Sequence, residues 1–374
     1  MTCVERLQAT GIRRRGEASR GFRYTLASGG RVPRTDLERI QALRLPPAWR
    51  DAAISPSPHA RVQAVGRDAA GRWQYVYHPA YVRARERRKH ERLLRFGEAL
   101  PRLRRAVQRD LRLSGLPRDK VLAAVVRILA SAFLRPGSES YAAENGSYGI
   151  ATLRRKHVTV KGDTVLFDFA GKGGKRQQRA MRDRQVAAVI KRLLRLPGYE
   201  VFKYAEVDGR TVDIKRAHIN EYIKRNMGTA FSAKDFRTWA GTLICACLLA
   251  RAHADERPQG ARAIKRMLAA AMRETATQLG NTPAVCRASY VNAHVPQAFA
   301  SGRVIERAFD ALEELTERTL RGRHACEDAL LALLSDAKST RTRRAPLRAA
   351  MPVAARRSAR PIAEYATRRR TAAG

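Results

Sequence analysis

Residues 157–175 read HVTVKGDTVLFDFAGKGGK. The runs His157 to Lys161 and Thr164 to Phe169 alternate apolar and polar positions, and Gly162-Asp163 between them is a strong two-residue hairpin signal. The second run leads into Gly171-Lys-Gly-Gly-Lys175, a second tight turn that displays at least one lysine at its tip. Outward from this sheet element the pattern is helical. Lys120 to Leu134 carries one apolar stripe, Val121, Leu122, Val125, Val126 and Leu129, and stops at Pro136-Gly137. Downstream, helices are expected over Asp183–Leu196, Asp213–Asn226, Ala233–Ala250, Arg262–Leu279 and Pro283–Val291, with a longer helical pattern over Val304–Leu334.

Further upstream, Leu93, Leu94, Phe96, Leu100 and Leu103 give a helical face that starts near Ala80 and breaks at Ser114-Gly-Leu-Pro117. Before Ala80 the character changes. Phe22–Leu26, Arg61–Val65 and Trp73–Tyr77 read as strands between turn signals, with one short helix, Asp36–Leu43, capped by Thr35 and ended by Pro46-Pro47. The chain is therefore expected to be α+β, with a small β-rich N-terminal domain over 21–79 and a mainly α-helical domain over 80–335. Residues 1–20 read as a basic flexible arm and 336–374 as a basic disordered tail.

The 74 lysines and arginines against 34 acidic residues give a net charge of +40. Such an excess disfavours a compact fold unless a polyanion neutralises it, so nucleic acid is the expected partner. Charge says nothing about catalysis. Five cysteines without paired C-x-x-C spacing indicate neither a disulfide framework nor a zinc module, so no metal is assigned and a reducing, cytoplasmic compartment fits. Cys245 and Cys247 lie in the apolar run Leu243–Ala250 and read as small core residues. Met1–Gly16 lacks the apolar core of a signal peptide, and no apolar run approaches the ~20 residues of a membrane span. The expectation is a protein without a membrane association.

Cleaving a phosphodiester without a metal needs a nucleophile, cations on the non-bridging oxygens and an acid for the leaving oxygen. Arg237, in Lys234-Asp-Phe-Arg-Thr-Trp239, opens a strongly apolar helix, where N-terminal amides favour an anion and a guanidinium can grip phosphate in two places. In so basic a chain, a single arginine is more often a solvated or backbone-contacting side chain than a catalytic one. Four segments in order narrow the choice: Phe133-Leu-Arg-Pro-Gly137, Phe169-Ala-Gly-Lys-Gly173, Lys234-Asp-Phe-Arg-Thr238 and Ser289-Tyr-Val-Asn292. Together they resemble the type IB DNA topoisomerases, most nearly the compact bacterial and poxvirus branch, over about residues 20–300. Glu144-Asn-Gly-Ser-Tyr-Gly149, Thr152-Leu-Arg-Arg-Lys-His157, Gly66-Arg-Asp68 and Gln74-Tyr-Val-Tyr-His78 add to the resemblance.

The resemblance implies a two-lobed clamp around duplex DNA, acting as a monomer in the cytoplasm at the nucleoid. It implies that Tyr290 attacks a backbone phosphate, leaving a 3′-phosphotyrosyl link and a free 5′-hydroxyl strand, and that rotation and religation then relax supercoils without ATP or other cofactor. Arg135 and Arg237 match the family's phosphate-binding arginines. Lys172 matches its general acid, with Lys175 on the same turn as a rival. Where many members place a histidine, this chain has Asn281, which can donate a hydrogen bond to a phosphate oxygen but carries no charge; Asn281 or Thr282 as a helix N-cap before Pro283 is the other reading. Arg67, Gln74, Tyr75, Tyr77, Tyr148, Lys156 and Lys175 match DNA-contacting positions, although Tyr75 and Tyr77 are also placed as core aromatics of a strand would be.

A tyrosine site-specific recombinase shares a similar Arg, Lys and Tyr set, and an architectural DNA binder could share the fold. The Gly66–His78 region and the hairpin-borne Lys172 favour the topoisomerase over the first. The presence of Arg135, Lys172, Arg237 and Tyr290 together argues against the second.

Overall fold

Thr2 opens the first helix of the computed structural model, which describes residues 1–206, 208–308 and 320–336. Helix α1 (Cys3–Thr10) begins with a capping box: the Thr2 hydroxyl accepts from the Glu5 amide at 3.2 Å and the Glu5 carboxylate accepts from the Thr2 amide at 2.8 Å. Strand β1 (Ile12–Glu17) follows. Residues 1–20 are thus part of the folded unit and not a flexible arm. Only Leu7 and Ile12 mark this in the sequence, each inserting into a small core that the surrounding arginines conceal.

The chain divides after Lys89 into two units. In the first, β2 (Gly21–Thr25), α2 (Arg34–Ala42), β3 (Arg50–Ile54), β4 (Val62–Arg67) and β5 (Trp73–Tyr77) complete an antiparallel sheet of order β2-β1-β3-β4-β5. Strand β3 was not expected from the sequence, since it opens on Arg50-Asp51. Helix α2 starts at Arg34 after Pro33, and Thr35 makes no cap. One face of the sheet packs Ile12, Ile54 and Ala64 with Val32 and Ile40; the other packs Ala53, Val62 and Val65 with Leu7.

Helix α3 (Pro79–Asp110) runs across the unit boundary. The second unit continues with α4 (Arg118–Ala132), α5 (Glu139–Asn145), the three-stranded sheet β6 (Val158–Lys161), β7 (Thr164–Ala170) and β8 (Arg176–Arg182), and α6 (Arg184–Leu193). Strand β6 pairs with β7 in the register Val160 to Val165, as the Gly162-Asp163 turn requires, and β7 pairs with β8 across the Lys172 turn. A short hairpin, β9 (Lys203–Ala205) and β10 (Thr211–Asp213), precedes α7 (Arg216–Met227). Asp213 therefore ends a strand, and the helix expected from it starts three residues later. Then come α8 (Ala233–Asp255), α9 (Gly260–Leu279), α10 (Pro283–Ser289), α11 (His294–Ala300) and α12 (Leu320–Ser335).

The core of this unit sets α4 and α6 against the three-stranded sheet and packs α7 and α8 on α4, with Phe96, Phe167, Phe202 and Tyr222 among its largest buried side chains. Phe96 meets Phe236 edge to face at 5.1 Å between ring centres. Helix α8 is buried along most of its length and packs against α9 and α12. From α12 the buried Glu327 accepts from Trp239 Nε1 of α8 at 3.1 Å and pairs with Arg104 of α3. The helical pattern expected over Val304–Leu334 is borne out only from Leu320; Val304–Ala308 is not helical, and residues 309–319 and most of the basic tail lie outside the described residues.

Candidate active site

Arg135 follows α4 directly. The helix ends on Phe133 in the left-handed conformation, φ 56° and ψ 28°, which turns the buried Phe133-Leu134 into the core and sends Arg135 away from it. The segment is then pinned by its backbone: the Arg135 carbonyl accepts from the Ile150 amide at 2.8 Å and that of Pro136 from Ala151 at 3.0 Å. Gly149 allows this approach, because a Cβ there would stand 2.7 Å from the Arg135 carbonyl oxygen.

Arg237 lies in the second turn of α8, whose first turn is braced by Asp235, which accepts from Nε and Nη2 of Arg92, each at 2.7 Å. The Arg237 side chain is 3% exposed. It donates through Nη1 to the Phe133 carbonyl and through Nη2 to that of Leu279 at 2.7 Å, while Nε is a buried donor with no hydrogen bond. Burial, then the neighbouring Arg135, lowers its pKa, yet the group stays a cation at neutral pH. Arg135 donates to Asn281 Oδ1 at 2.5 Å. The two guanidinium groups are thus oriented by neutral oxygens and not by carboxylates, which leaves their charge uncompensated, as an anion site requires.

Tyr290 closes α10, its amide bonded to the Cys286 carbonyl at 2.9 Å. Its ring centre lies 5.0 Å from the Arg237 guanidinium carbon. Burial alone raises the phenol's pKa, but Arg237, Arg135 and Lys234 together outweigh it and hold the phenol below the usual range. Thr282, not Asn281, caps α10 by accepting from the Val285 amide at 3.3 Å. Asn281 instead ends α9 through its backbone, its amide bonded to the Ala276 carbonyl at 2.8 Å after Gly280 at φ 60°, which frees its side chain for Arg135.

Lys172 sits in the β7–β8 turn, where the Gly171 amide bonds the Lys175 carbonyl at 2.8 Å and Gly173 and Gly174 take φ near 73° and 72°. A cleft of about 670 Å³ brings Lys172, Arg135, Arg237 and Tyr290 into one lining. Lys175 is exposed on the same turn and does not line it. Tyr148 does, with its ring 4.4 Å from His157 and 5.4 Å below the Arg154 guanidinium. Lys156 lies elsewhere, in a separate basic pocket with Arg154, Arg155 and the exposed Tyr199. Three cations were missed in the sequence. Lys234 and Arg216 line the cleft, and Arg179 of β8, lowered in pKa by burial and by Arg135, bonds the Gln278 carbonyl at 2.7 Å at the end of α9. Lys234 had one available signal: it stands three residues before Arg237, on the same helical face.

In the first unit, Tyr75 and Tyr77 stack at 6.0 Å and Tyr77 continues to Tyr81 at 5.2 Å. Tyr75 is 40% exposed, whereas Tyr77 packs partly on the core beneath, so the core reading fits Tyr77 and not Tyr75. Gln74 donates to Asp68 at 2.9 Å, and Arg67 lies 4.8 Å over Trp73.

Residues 80–314 match the family model of the eukaryotic DNA topoisomerase I catalytic core, and residues 21–68 match that of the bacterial DNA topoisomerase IB N-terminal domain. The chain belongs to the type IB DNA topoisomerases. This topoisomerase IB is similar to DNA topoisomerase 1B of Acanthamoeba polyphaga mimivirus, 32% identical over 295 residues that make up 78% of this chain and 88% of the relative. DNA topoisomerase 1B of vaccinia virus (strain Copenhagen) is 25% identical over 139 residues, 36% of this chain and 44% of its own. DNA topoisomerase 1 of Mycosarcoma maydis is 24% identical over 204 residues, 48% and 19% of the two chains. Among the described residues of this topoisomerase, no helix is long and apolar enough to cross a membrane.

Proposed function

We propose that this topoisomerase IB relaxes supercoiled double-stranded DNA by cutting and resealing one strand through Tyr290. The observation that carries the reading is the convergence of a phenol of lowered pKa, two uncompensated guanidinium groups and a turn-borne lysine on one cleft. Tyr290 Oη attacks phosphorus, its proton leaving to solvent. The Oη–P bond forms as the P–O5′ bond breaks, so the strand end is held as a 3′-phosphotyrosine. Arg135 and Arg237 bind the non-bridging oxygens, where negative charge grows as phosphorus becomes five-coordinate; the free Nε of Arg237 is a donor such an oxygen would satisfy. Lys172 gives a proton to the departing O5′. After rotation, the 5′-hydroxyl attacks the phosphotyrosine and the proton returns to Lys172. The energy of the bond is kept throughout.

Asn281 acts through Arg135 in this reading, as the neutral oxygen that orients its guanidinium. Tyr75, Tyr77, Gln74 and Arg67 of the first unit, and Tyr148, Lys156 and Lys175 of the second, contact the duplex, the two units closing around it as a clamp. The enzyme acts as a monomer at the nucleoid, in the cytoplasm. The test is relaxation of supercoiled plasmid by the full chain without ATP, with EDTA present. Relaxation is expected. Tight plasmid binding without any change of linking number would refute the reading.

A further inference from the structure

Thr242 lies five residues beyond Arg237 on α8, fully buried at 0% exposure, and the phosphate chemistry makes no direct use of it. Its hydroxyl donates to the Thr238 carbonyl at 2.8 Å, and its oxygen accepts the Asn292 amide at 3.1 Å. The Tyr290 carbonyl oxygen stands 3.3 Å from the same hydroxyl. One side chain of α8 therefore ties down the segment from Tyr290 to Asn292. The preceding residue, Gly241, is flush against it: a Cβ would lie 2.8 Å from the Tyr290 carbonyl oxygen, 3.2 Å from Tyr290 Cβ and 2.9 Å from Leu279 Cδ1. A glycine inside a long helix costs ~1 kcal/mol against alanine, so its place here calls for a packing reason, and the approach of Tyr290 supplies one.

Helix α10 does little to hold the phenol by itself, because it is seven residues long and buries only Cys286. We infer that Gly241 and Thr242 form a seat that sets Tyr290 relative to Arg237, with Thr242 as a positioning residue for the nucleophile. Both partners of the 5.0 Å contact are then fixed by one rigid helix. The inference rests on Tyr290 being the nucleophile. A nucleophile displaced by about 1 Å can lose about 100-fold in rate, and the loss applies to attack in either direction because cleavage and religation share a transition state.

The experiment is single-turnover cleavage and religation of a duplex by full-length Thr242→Val, Thr242→Ser and Gly241→Ala, with DNA affinity and melting temperature measured for each and with wild type and Tyr290→Phe alongside. Thr242→Val keeps the volume and removes the hydroxyl. Its cleavage and religation rates are expected to fall together by about 10- to 100-fold at unchanged DNA affinity, leaving the covalent fraction at equilibrium as in wild type. Thr242→Ser should recover most of the rate, and Gly241→Ala should be slow. Wild-type rates in Thr242→Val, a serine variant as slow as valine, or a loss of rate matched by loss of DNA affinity and melting temperature would each overturn the seat. Adduct formation by Tyr290→Phe would instead refute the nucleophile, and the seat with it.

Discussion

The Arg237 guanidinium lies 5.0 Å from the Tyr290 ring centre while its two Nη groups are committed to the Phe133 and Leu279 carbonyls. The cation is thus fixed by the ends of α4 and α9 beside the phenol, and in the proposed chemistry it acts on both the phenol and the incoming phosphate. Preorganised charge of this kind needs no rearrangement during the reaction.

The pH dependence of cleavage follows from that contact. Burial raises the Tyr290 pKa and the nearby cations bring it down past its usual value, so the phenolate becomes more accessible near neutrality. In Arg237→Ala the burial remains and the largest opposing charge is gone, so the rising limb of the pH–rate profile should move to higher pH. The rate at neutral pH should drop by about 10²- to 10³-fold. Arg237→Lys should recover little of it, because an ammonium cannot span two carbonyls and a phosphate oxygen as a planar fork does. Single-turnover cleavage across a pH series checks this; an unmoved profile would separate Arg237 from the activation of Tyr290.

Lys172 and Lys175 share a turn but only Lys172 lines the cleft. Lys172→Ala should slow cleavage by about 10²- to 10⁴-fold, and a duplex with sulfur in place of the 5′-bridging oxygen should restore most of the rate, since a thiolate leaves without a proton. Lys175→Ala should cleave the ordinary duplex at close to the wild-type rate. If the sulfur substrate rescued Lys175→Ala and left Lys172→Ala slow, the two assignments would be exchanged.

Asn281 accepts from Arg135 at 2.5 Å. Substitution by alanine should loosen the guanidinium and slow cleavage by about tenfold, a modest loss set by one hydrogen bond to a charged group. Aspartate should be slower than alanine, because a carboxylate would neutralise the charge meant for the phosphate. Equal rates for Ala and Asp would show that Asn281 does not act through Arg135.

Glu327 joins α12 to α3 and α8 through Arg104 and Trp239. Its carboxylate is buried and Arg104 is partly exposed, so Glu327→Ala should cost about 2–3 kcal/mol, below the ~3–5 of a fully buried broken pair. Urea unfolding monitored by tryptophan fluorescence gives the shift in midpoint. A change under about 0.5 kcal/mol, the range of ordinary surface substitutions, would place α12 outside the cooperative core.

Helices with strong apolar stripes were legible in the sequence: Lys120–Leu134 corresponds to α4 and Arg262–Leu279 to α9, each within two residues at either end. Some elements whose few buried side chains stand among charged residues were not. Strand β8, Arg176-Gln-Gln-Arg-Ala-Met-Arg182, buries only Gln177 and Met181 and gives no alternating signal, and α1 buries only Leu7. The same holds in the site. Tyr290, Arg135, Arg237 and Lys172 stood out through ordered motifs, but Arg216 and Arg179 carry no distinguishing mark among 74 basic residues, and Lys234 had only its place one helical turn before Arg237. Nor could the sequence choose between Asn281 and Thr282 as the cap of α10, which depends on the chain reversal at Gly280.

The most direct measurement is the identity of the residue linked to DNA. Duplex cleaved by the full-length protein would be trapped in denaturant, digested with nuclease and protease, and the nucleotide-bearing peptide sequenced by mass spectrometry. The account requires a single adduct, on Tyr290 through a 3′-phosphate, and none in Tyr290→Phe. An adduct on another residue, a 5′-phosphate linkage, or cleavage without any covalent protein would contradict it.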